Sequence, residues 1–403
     1  MTLRSVFIVL SFALFFVPFA AQAQKVLDVQ KLKTPAGVEV WLVEDKTVPV
    51  ISMSFSFDGG LAFDPPSRPG VARMVSILLD EGAGELDSQA FQGRMIDNAI
   101  SMEFNVGRDA FYGQIKTLSS NRGLAFDLLR QALTAPRFDA DAIDRMRNAN
   151  IAKIKQDMGN PSWLVARIYN GMAFEGDVYA SPSFGTLDSM AKITRKDLAN
   201  FVRAQFSRAV LRVAIAGDIS AKEAVEAVDG IFATLPEKGE SPPAAADAVF
   251  QHAGKTILYP LDTPQTYVLA GSPGIKRSDK DWHAAVVLNY ILGGDGFDSR
   301  LMHEMREKRG LTYGVYTSLS AMARAGILQA SFSASNDKTE EALSVLRQEW
   351  ARLAKEGPTA EELEDAKSYL TGSLLLGLTS TEDISNTLNS FQRDGLDAGY
   401  INQ

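Results

Sequence analysis

The stretch from Pro236 to Ala248, PEKGESPPAAADA, constrains the fold more than any other part of this chain. Three prolines, low hydrophobicity and mixed charge mark it as a linker. It separates residues 24–235 from residues 249–403, and a chain of 403 residues is expected to build two cores rather than one. The two parts share a theme of helix, proline, acidic cap and helix. Ala135-Pro136-Arg137-Phe138-Asp139 opens one copy, and Gly357-Pro358-Thr359-Ala360-Glu361-Glu362 opens the other, with Thr359 and Glu362 as a capping box. A repeat of about 200 residues points to a duplicated α+β unit rather than a solenoid. Each unit is expected to be an antiparallel sheet with helices mainly on one face. The first copy runs on through a helix and a strand to Asp218. The second stops at Asn402-Gln403 without them, so the second unit is expected to be truncated at its C-terminus.

Local patterns fill in the elements. Residues 38–43 follow a Pro35-Ala36-Gly37 turn, and 50–57 alternate apolar and polar, so both read as strands, as do 101–105, 110–118 and 211–216. Helices are predicted over 70–79, from Ser88, and over 121–133 and 139–157, then a loop rich in Gly and Pro. Thr194 with Asp197 and Ser220 with Glu223 cap two further helices. The second part reads as strand 266–270, helices 279–292 and 299–308, strands 311–319 and 326–334, and helix 337–355.

The first residues read as an address, not as fold. Arg4, an apolar run from Val6 to Ala20 and Ala21-Gln22-Ala23 make a secretory signal peptide over residues 1–23, cleaved after Ala23. The run is short against the roughly 20 residues of a membrane span, and no later segment is long enough, so no span is expected after cleavage. Export permits disulfides, yet there is no cysteine, which excludes thiolate chemistry and Cys zinc sites. A bacterial periplasm fits. A net charge of −8 argues against nucleic-acid binding, and the basic stretch 305–309 reads as a solvated helix face.

One segment carries chemistry: Leu292 to Tyr316, LGGDGFDSRLMHEMREKRGLTYGVY. Glycines lead into a charged helix that stops at Gly310, and a strand is expected to carry Tyr313 away. Arg306 and Tyr313 then flank a reversal, and a cation beside a phenol suits a peptide carbonyl or a developing oxyanion. Gly293, Gly294 and Gly296 lack the Lys-Ser/Thr of a phosphate loop and read as a tight turn before a helix capped by Asp298 or Ser299. His303-Glu304 reads as an ordinary surface pair.

This pattern resembles the pitrilysin-type zinc metallopeptidases, the family of insulin-degrading enzyme and the mitochondrial processing peptidases. The resemblance rests on the segment just quoted, on DGGLAFDPPSRPGVA at 58–72, and on SFGTLDSMAKITRKDLANFVRAQFSRAVLRVAIAGDI at 183–219. It covers nearly all of the chain after the signal peptide. In zinc-bearing members a helix after the Gly-Val-Ala holds His-x-x-Glu-His, two ligands one turn apart with a Glu that activates the metal-bound water. The matching positions here are Arg73, Ser76 and Ile77, and the region of the distal ligand, Asn150 to Lys155, has no carboxylate. The histidines are His252, His283 and His303, so no shifted motif exists either.

The resemblance implies a division of labour. Arg306 and Tyr313, spaced as in the family's C-terminal unit, would hold the substrate backbone and donate to the oxyanion, in trans with a partner's zinc site. The chain is expected to hold no cofactor, to be inactive alone, and to be the zinc-free subunit of a heterodimeric peptidase. Its partners would be a subunit of the same family that carries His-x-x-Glu-His and zinc, and a peptide substrate. The alternative is a non-catalytic scaffold or peptide-binding protein of the same fold.

Overall fold

The computed structural model describes residues 26–240, 246–294 and 298–402. The expected signal peptide, Gly296 and the middle of the linker lie outside the described residues. The first unit contains β1 (Gln30–Lys33), β2 (Glu39–Glu44), β3 (Val50–Asp58), α1 (Val71–Ser76), α2 (Ser88–Asp97), β4 (Ser101–Val106), β5 (Ala110–Leu118), α3 (Arg122–Thr134), α4 (Ala140–Asp157), α5 (Pro161–Ala173), α6 (Leu187–Lys192), α7 (Arg195–Gln205), β6 (Leu211–Gly217) and α8 (Ala221–Phe232). The second contains β7 (Gln265–Pro273), α9 (Trp282–Gly293), a wide π-type helix (Met302–Glu307), β8 (Val315–Ala321), β9 (Gly326–Ser335), α10 (Thr339–Glu356), α11 (Ala360–Leu376) and α12 (Thr381–Arg393).

The first sheet has the order β1-β2-β6-β3-β5-β4, and the second β7-β9-β8. The mixed α+β class is as expected, but the first sheet is not purely antiparallel: β2 and β6 run parallel, because β6 arrives last and inserts between β2 and β3. Capping sets several helix starts. Thr194 with Asp197, Ser220 with Glu223 and Thr359 with Glu362 all form reciprocal capping boxes. The sequence reading missed α5, taken for loop. Pro161 sits at the first helical position, where its missing N–H costs nothing, and the Asn160 side chain accepts from the Ser162 amide.

Alternation along β3 splits its side chains between two layers. Ile51, Met53, Phe55 and Phe57 are buried on one face, where Phe57 stacks on Phe206 at 4.5 Å and Phe55 meets Phe232 edge-on at 5.3 Å. Ser52, Ser54 and Ser56 point the other way and are buried too. Helix α12 of the second unit covers them. Ser52 Oγ lies 2.9 Å from Thr381 Oγ1, Ser54 Oγ 2.7 Å from Ser385 Oγ, and Asn389 Nδ2 donates to the Arg212 carbonyl at 3.1 Å. Helices therefore occupy both faces of this sheet, not mainly one as the sequence pattern implied, because α12 comes across from the second unit to bury the serine face. The exchange is reciprocal: α5 leaves the first unit and lies on β7, where the Tyr169 hydroxyl comes so close that a Cβ on Gly271 would sit 2.0 Å from it.

The outer edge of β7 is unpaired among the described residues. Beside it lies a slot of about 810 Å³, walled by β7, by Leu164 and Ile168 of α5, by Leu343 and Leu346 of α10, and by the segment around Ile257 and Tyr259. Leu258 is 82% exposed and Ile257 54%. A free strand edge beside exposed apolar side chains invites self-association. Replacing Ile257 and Leu258 together by Asp is expected to weaken self-association at least about tenfold, since each buried aliphatic side chain contributes roughly 2 kcal/mol. Light scattering on a concentration series reads this directly, and an unchanged oligomer distribution would refute it.

Candidate functional site

Arg73, Ser76 and Ile77, the positions that the sequence pattern matches to the family's zinc motif, lie on or at the end of the short helix α1. Asp64 accepts the Gly70 amide at 2.6 Å and the Ala72 amide at 2.7 Å, so its carboxylate caps the start of α1. Burial pushes this carboxyl up to about 6, with the two amides opposing the shift. Gly70 has φ of +97° and would clash with Met190 and Gly185 if it bore a Cβ, so the entry to α1 requires glycine. The helix ends at Ser76, shorter than the predicted 70–79.

Arg73, Ser76 and Ile77 are therefore on or at the end of one helix, but their side chains are otherwise engaged. The Arg73 guanidinium lies over the Phe184 ring at 4.8 Å, its Nε is buried without a hydrogen-bond partner, and burial lowers its pKa. Ser76 Oγ donates to the Arg73 carbonyl at 2.8 Å. Ile77 packs on the core. On α4, Asn150 Nδ2 donates to the Phe184 carbonyl at 2.9 Å. Arg73 and Asn150 thus converge on Phe184. The residues do not fit zinc: one is a cation, one has no donor atom, one hydroxyl is committed to backbone, and the Asn150 amide is turned to donate. Among the described residues no group of three or more His, Asp or Glu side chains is placed to hold a metal ion. Phe184 was missed as part of this site, although it lies inside the motif at 183–219.

The second half of the site is built around the π-type helix. Its wider winding appears in the Lys308 amide donating to the His303 carbonyl, five residues back, at 3.0 Å. Leu301, Met302 and Met305 anchor it in the core. Gly294 approaches Tyr290 so closely that a Cβ would lie 2.6 Å from the Tyr290 Cα. The Ser299 hydroxyl caps nothing, being buried without a partner. Arg300 fixes the start of the helix instead, bonding both oxygens of Glu362 at 2.5 and 2.7 Å and holding that carboxyl down at about 2. Lys308 and Arg309 stay exposed, as a solvated helix face does, and both bind the buried Glu304 and hold it at about 2. His303 pairs with Glu307 at 2.8 Å, not with its neighbour Glu304.

Arg306 lies in the last turn of this helix, half-buried, and Gly310 at φ +57° reverses the chain. Tyr313 is not carried on a strand, as the sequence pattern implied. The Gly314 amide donates to Thr312 Oγ1 at 3.2 Å and the Thr312 hydroxyl donates to the Gly314 carbonyl at 2.8 Å, which keeps 311–314 in a loop and delays β8 until Val315. Tyr313 consequently stands 86% exposed. It lines a groove of about 500 Å³ with Tyr267, Tyr316 and residues of α5, and Arg306 is not on the groove wall. An exposed phenol can donate to a ligand outside the chain without any rearrangement of the core.

The chain has parallels among known proteins. The family description "Peptidase M16 inactive domain" matches residues 192–370. An uncharacterized zinc protease of Streptomyces coelicolor is 30% identical over 369 residues, covering 89% of this chain and 79% of that protein. The chain belongs to the peptidase M16 family. Its M16 relatives include the non-peptidase homolog YmxG of Helicobacter pylori, 26% identical over 383 residues, 93% of this chain and 85% of that protein. The crystal structure of a peptidase M16 inactive domain from Pseudomonas fluorescens superposes with a TM-score of 0.85 at 29% identity, covering 93% of this chain and 90% of that one. The pitrilysin-type resemblance read from the sequence is therefore correct, and it is residues 192–370 that match the inactive-domain description. None of the described helices is long and apolar enough to cross a membrane.

Proposed function

We propose that this chain is the zinc-free subunit of a two-chain peptidase. A partner of the same family would supply His-x-x-Glu-His, zinc and the attacking water. This chain would close the chamber and present Arg306 to the peptide backbone and Tyr313 to the oxyanion. One contrast carries the reading: the metal positions are filled by an Arg73–Phe184 plug, whereas Tyr313 stands exposed on a corner that Gly310, Thr312 and Gly314 shape. The leader at 1–23 supports an exported, periplasmic setting. The slot beside β7 has the position that β6 occupies beside β3, which supports a second unit that takes a further strand there.

Co-expression with a His-x-x-Glu-His relative tests this. The expected result is a one-to-one complex that cleaves unfolded peptides and carries stoichiometric zinc, while the purified chain alone carries none. Stoichiometric zinc in the chain alone, or no complex with any such relative, overturns the proposal. The second reading, a scaffold or peptide-binding protein, has the Helicobacter pylori non-peptidase homolog in its favour. A stable complex that cleaves nothing would decide for it.

A further inference from the structure

The groove beside Tyr313 has a composition of its own. Cross-strand register puts Tyr267 opposite Ser333, and Ser331 opposite both Leu269 and Tyr316, so these side chains share one face of the second sheet. Val165 and Ala166 of α5 close the side next to β7. The Tyr316 ring folds back over Gly314, where a Cβ would lie 3.0 Å from the ring. Glycine at 314 thus permits Tyr316 to stand next to the Tyr313 loop. Ser162, Ser331 and Ser333 add hydroxyls, and among the described residues no charged side chain lines the groove.

We propose that this groove is the pocket that selects the substrate side chain, and that Tyr267 and Tyr316 are its specificity-determining residues. Its occupant is an apolar or aromatic side chain of the peptide whose backbone Tyr313 addresses. The choice of occupant follows from charge and from continuity with Tyr313. A lysine or glutamate side chain would lose its water against Val165, Ala166 and Leu269 and gain no counter-charge, whereas an aromatic ring meets two tyrosine rings and an apolar floor. The volume of about 500 Å³ admits the largest side chains. The inference rests on the peptidase reading for its biological use, but the groove's binding preference stands or falls independently.

Two measurements separate these. In the first, the chain alone carries 3-fluorotyrosine and is titrated with capped pentapeptides, alanine throughout except for a central phenylalanine, lysine or glutamate. The fluorine signals of Tyr267 and Tyr316 are expected to shift saturably with the phenylalanine peptide, and at least about tenfold more weakly with the charged ones. Tyr316→Ala should abolish the response. Ser333→Asp, which leaves the tyrosines in place, should turn the preference toward lysine. In the second, the two-chain complex is assayed on the same central substitutions within a longer cleavable peptide. Tyr316→Ala is expected to shrink the phenylalanine-over-lysine ratio of kcat/KM at least about tenfold, whereas Tyr313→Phe lowers all substrates alike. Equal binding of all three peptides, or a ratio untouched by both Tyr316→Ala and Ser333→Asp in an active complex, overturns the inference. So does a shift of the Tyr267 and Tyr316 signals on adding the partner chain without peptide, because the groove is then a subunit interface. If no complex cleaves anything, the peptidase reading fails while the first measurement still decides the groove.

Discussion

In a complex of this chain with a His-x-x-Glu-His subunit, Tyr313→Phe is expected to lower kcat about 100-fold or more and to leave KM nearly unchanged. A donor aimed at the charge that develops in the transition state contributes roughly 3–4 kcal/mol, and the ring without its hydroxyl keeps the ground-state contacts. Arg306→Ala should act differently. A guanidinium that holds the peptide backbone contributes in both ground and transition states, so KM rises and kcat falls together, and Arg306→Lys restores only part because the planar fork is lost. Tyr313 is 86% exposed, so its replacement leaves the core untouched and circular dichroism should match the parent. Steady-state kinetics on one peptide checks both variants. An unchanged kcat for Tyr313→Phe would remove Tyr313 from the reaction.

The second large effect concerns the joint between the units. Tyr179, 1% exposed, donates to Asp109 Oδ1 at 2.5 Å and accepts the Arg324 amide at 3.1 Å. The Ala323 amide donates to Asp109 Oδ2 at 3.0 Å. The Arg324 guanidinium lies 4.7 Å over the Tyr179 ring and bonds both oxygens of Asp177 at 2.6 and 2.9 Å. Burial alone would raise the Asp177 carboxyl, and Arg324 with the Tyr179 amide outweighs it, leaving it below the usual carboxylate range. Arg324→Ala strands Asp177 and opens the hairpin between β8 and β9. The pair is a fifth to a quarter exposed, so the expected loss is about 2–3 kcal/mol, short of the cost of a fully buried pair. Calorimetry should then resolve two unfolding transitions where the parent has one. Because the folded Asp177 pKa is lowered, the pair's contribution is present above the unfolded carboxylate pKa and is lost as pH falls through the folded value, so variant and parent should converge in acid. A single transition at the parent midpoint would show that the joint is held elsewhere.

Much of this was legible in the residues because its causes are short-range. The capping boxes at Thr194, Ser220 and Thr359 each close within three residues. The strand at β3 announces itself by alternation, and the loss of zinc ligands needs no structure at all, since the first histidine is His252. Features that depend on distant partners were not legible. Helix α5 looked like loop because its apolar side chains serve the other unit's sheet, and its proline looked like a breaker. Alternation along β3 does not show that its serines are buried, because the helix that covers them lies more than 300 residues away in the chain. Tyr313 looked like strand until Thr312 and Gly314 were seen to bond each other.

By itself, then, the amino-acid sequence determined the family, the α+β class and the absence of a His-x-x-Glu-His motif, because these depend on residue identity and on local patterns along the chain. Tertiary structure alone decided the exchange of α5 and α12 between sheets, the stacking of Arg73 on Phe184, and the groove beside Tyr313. Each of these is set by the burial of side chains far apart in sequence, and burial is a property of the packed chain rather than of any segment of it.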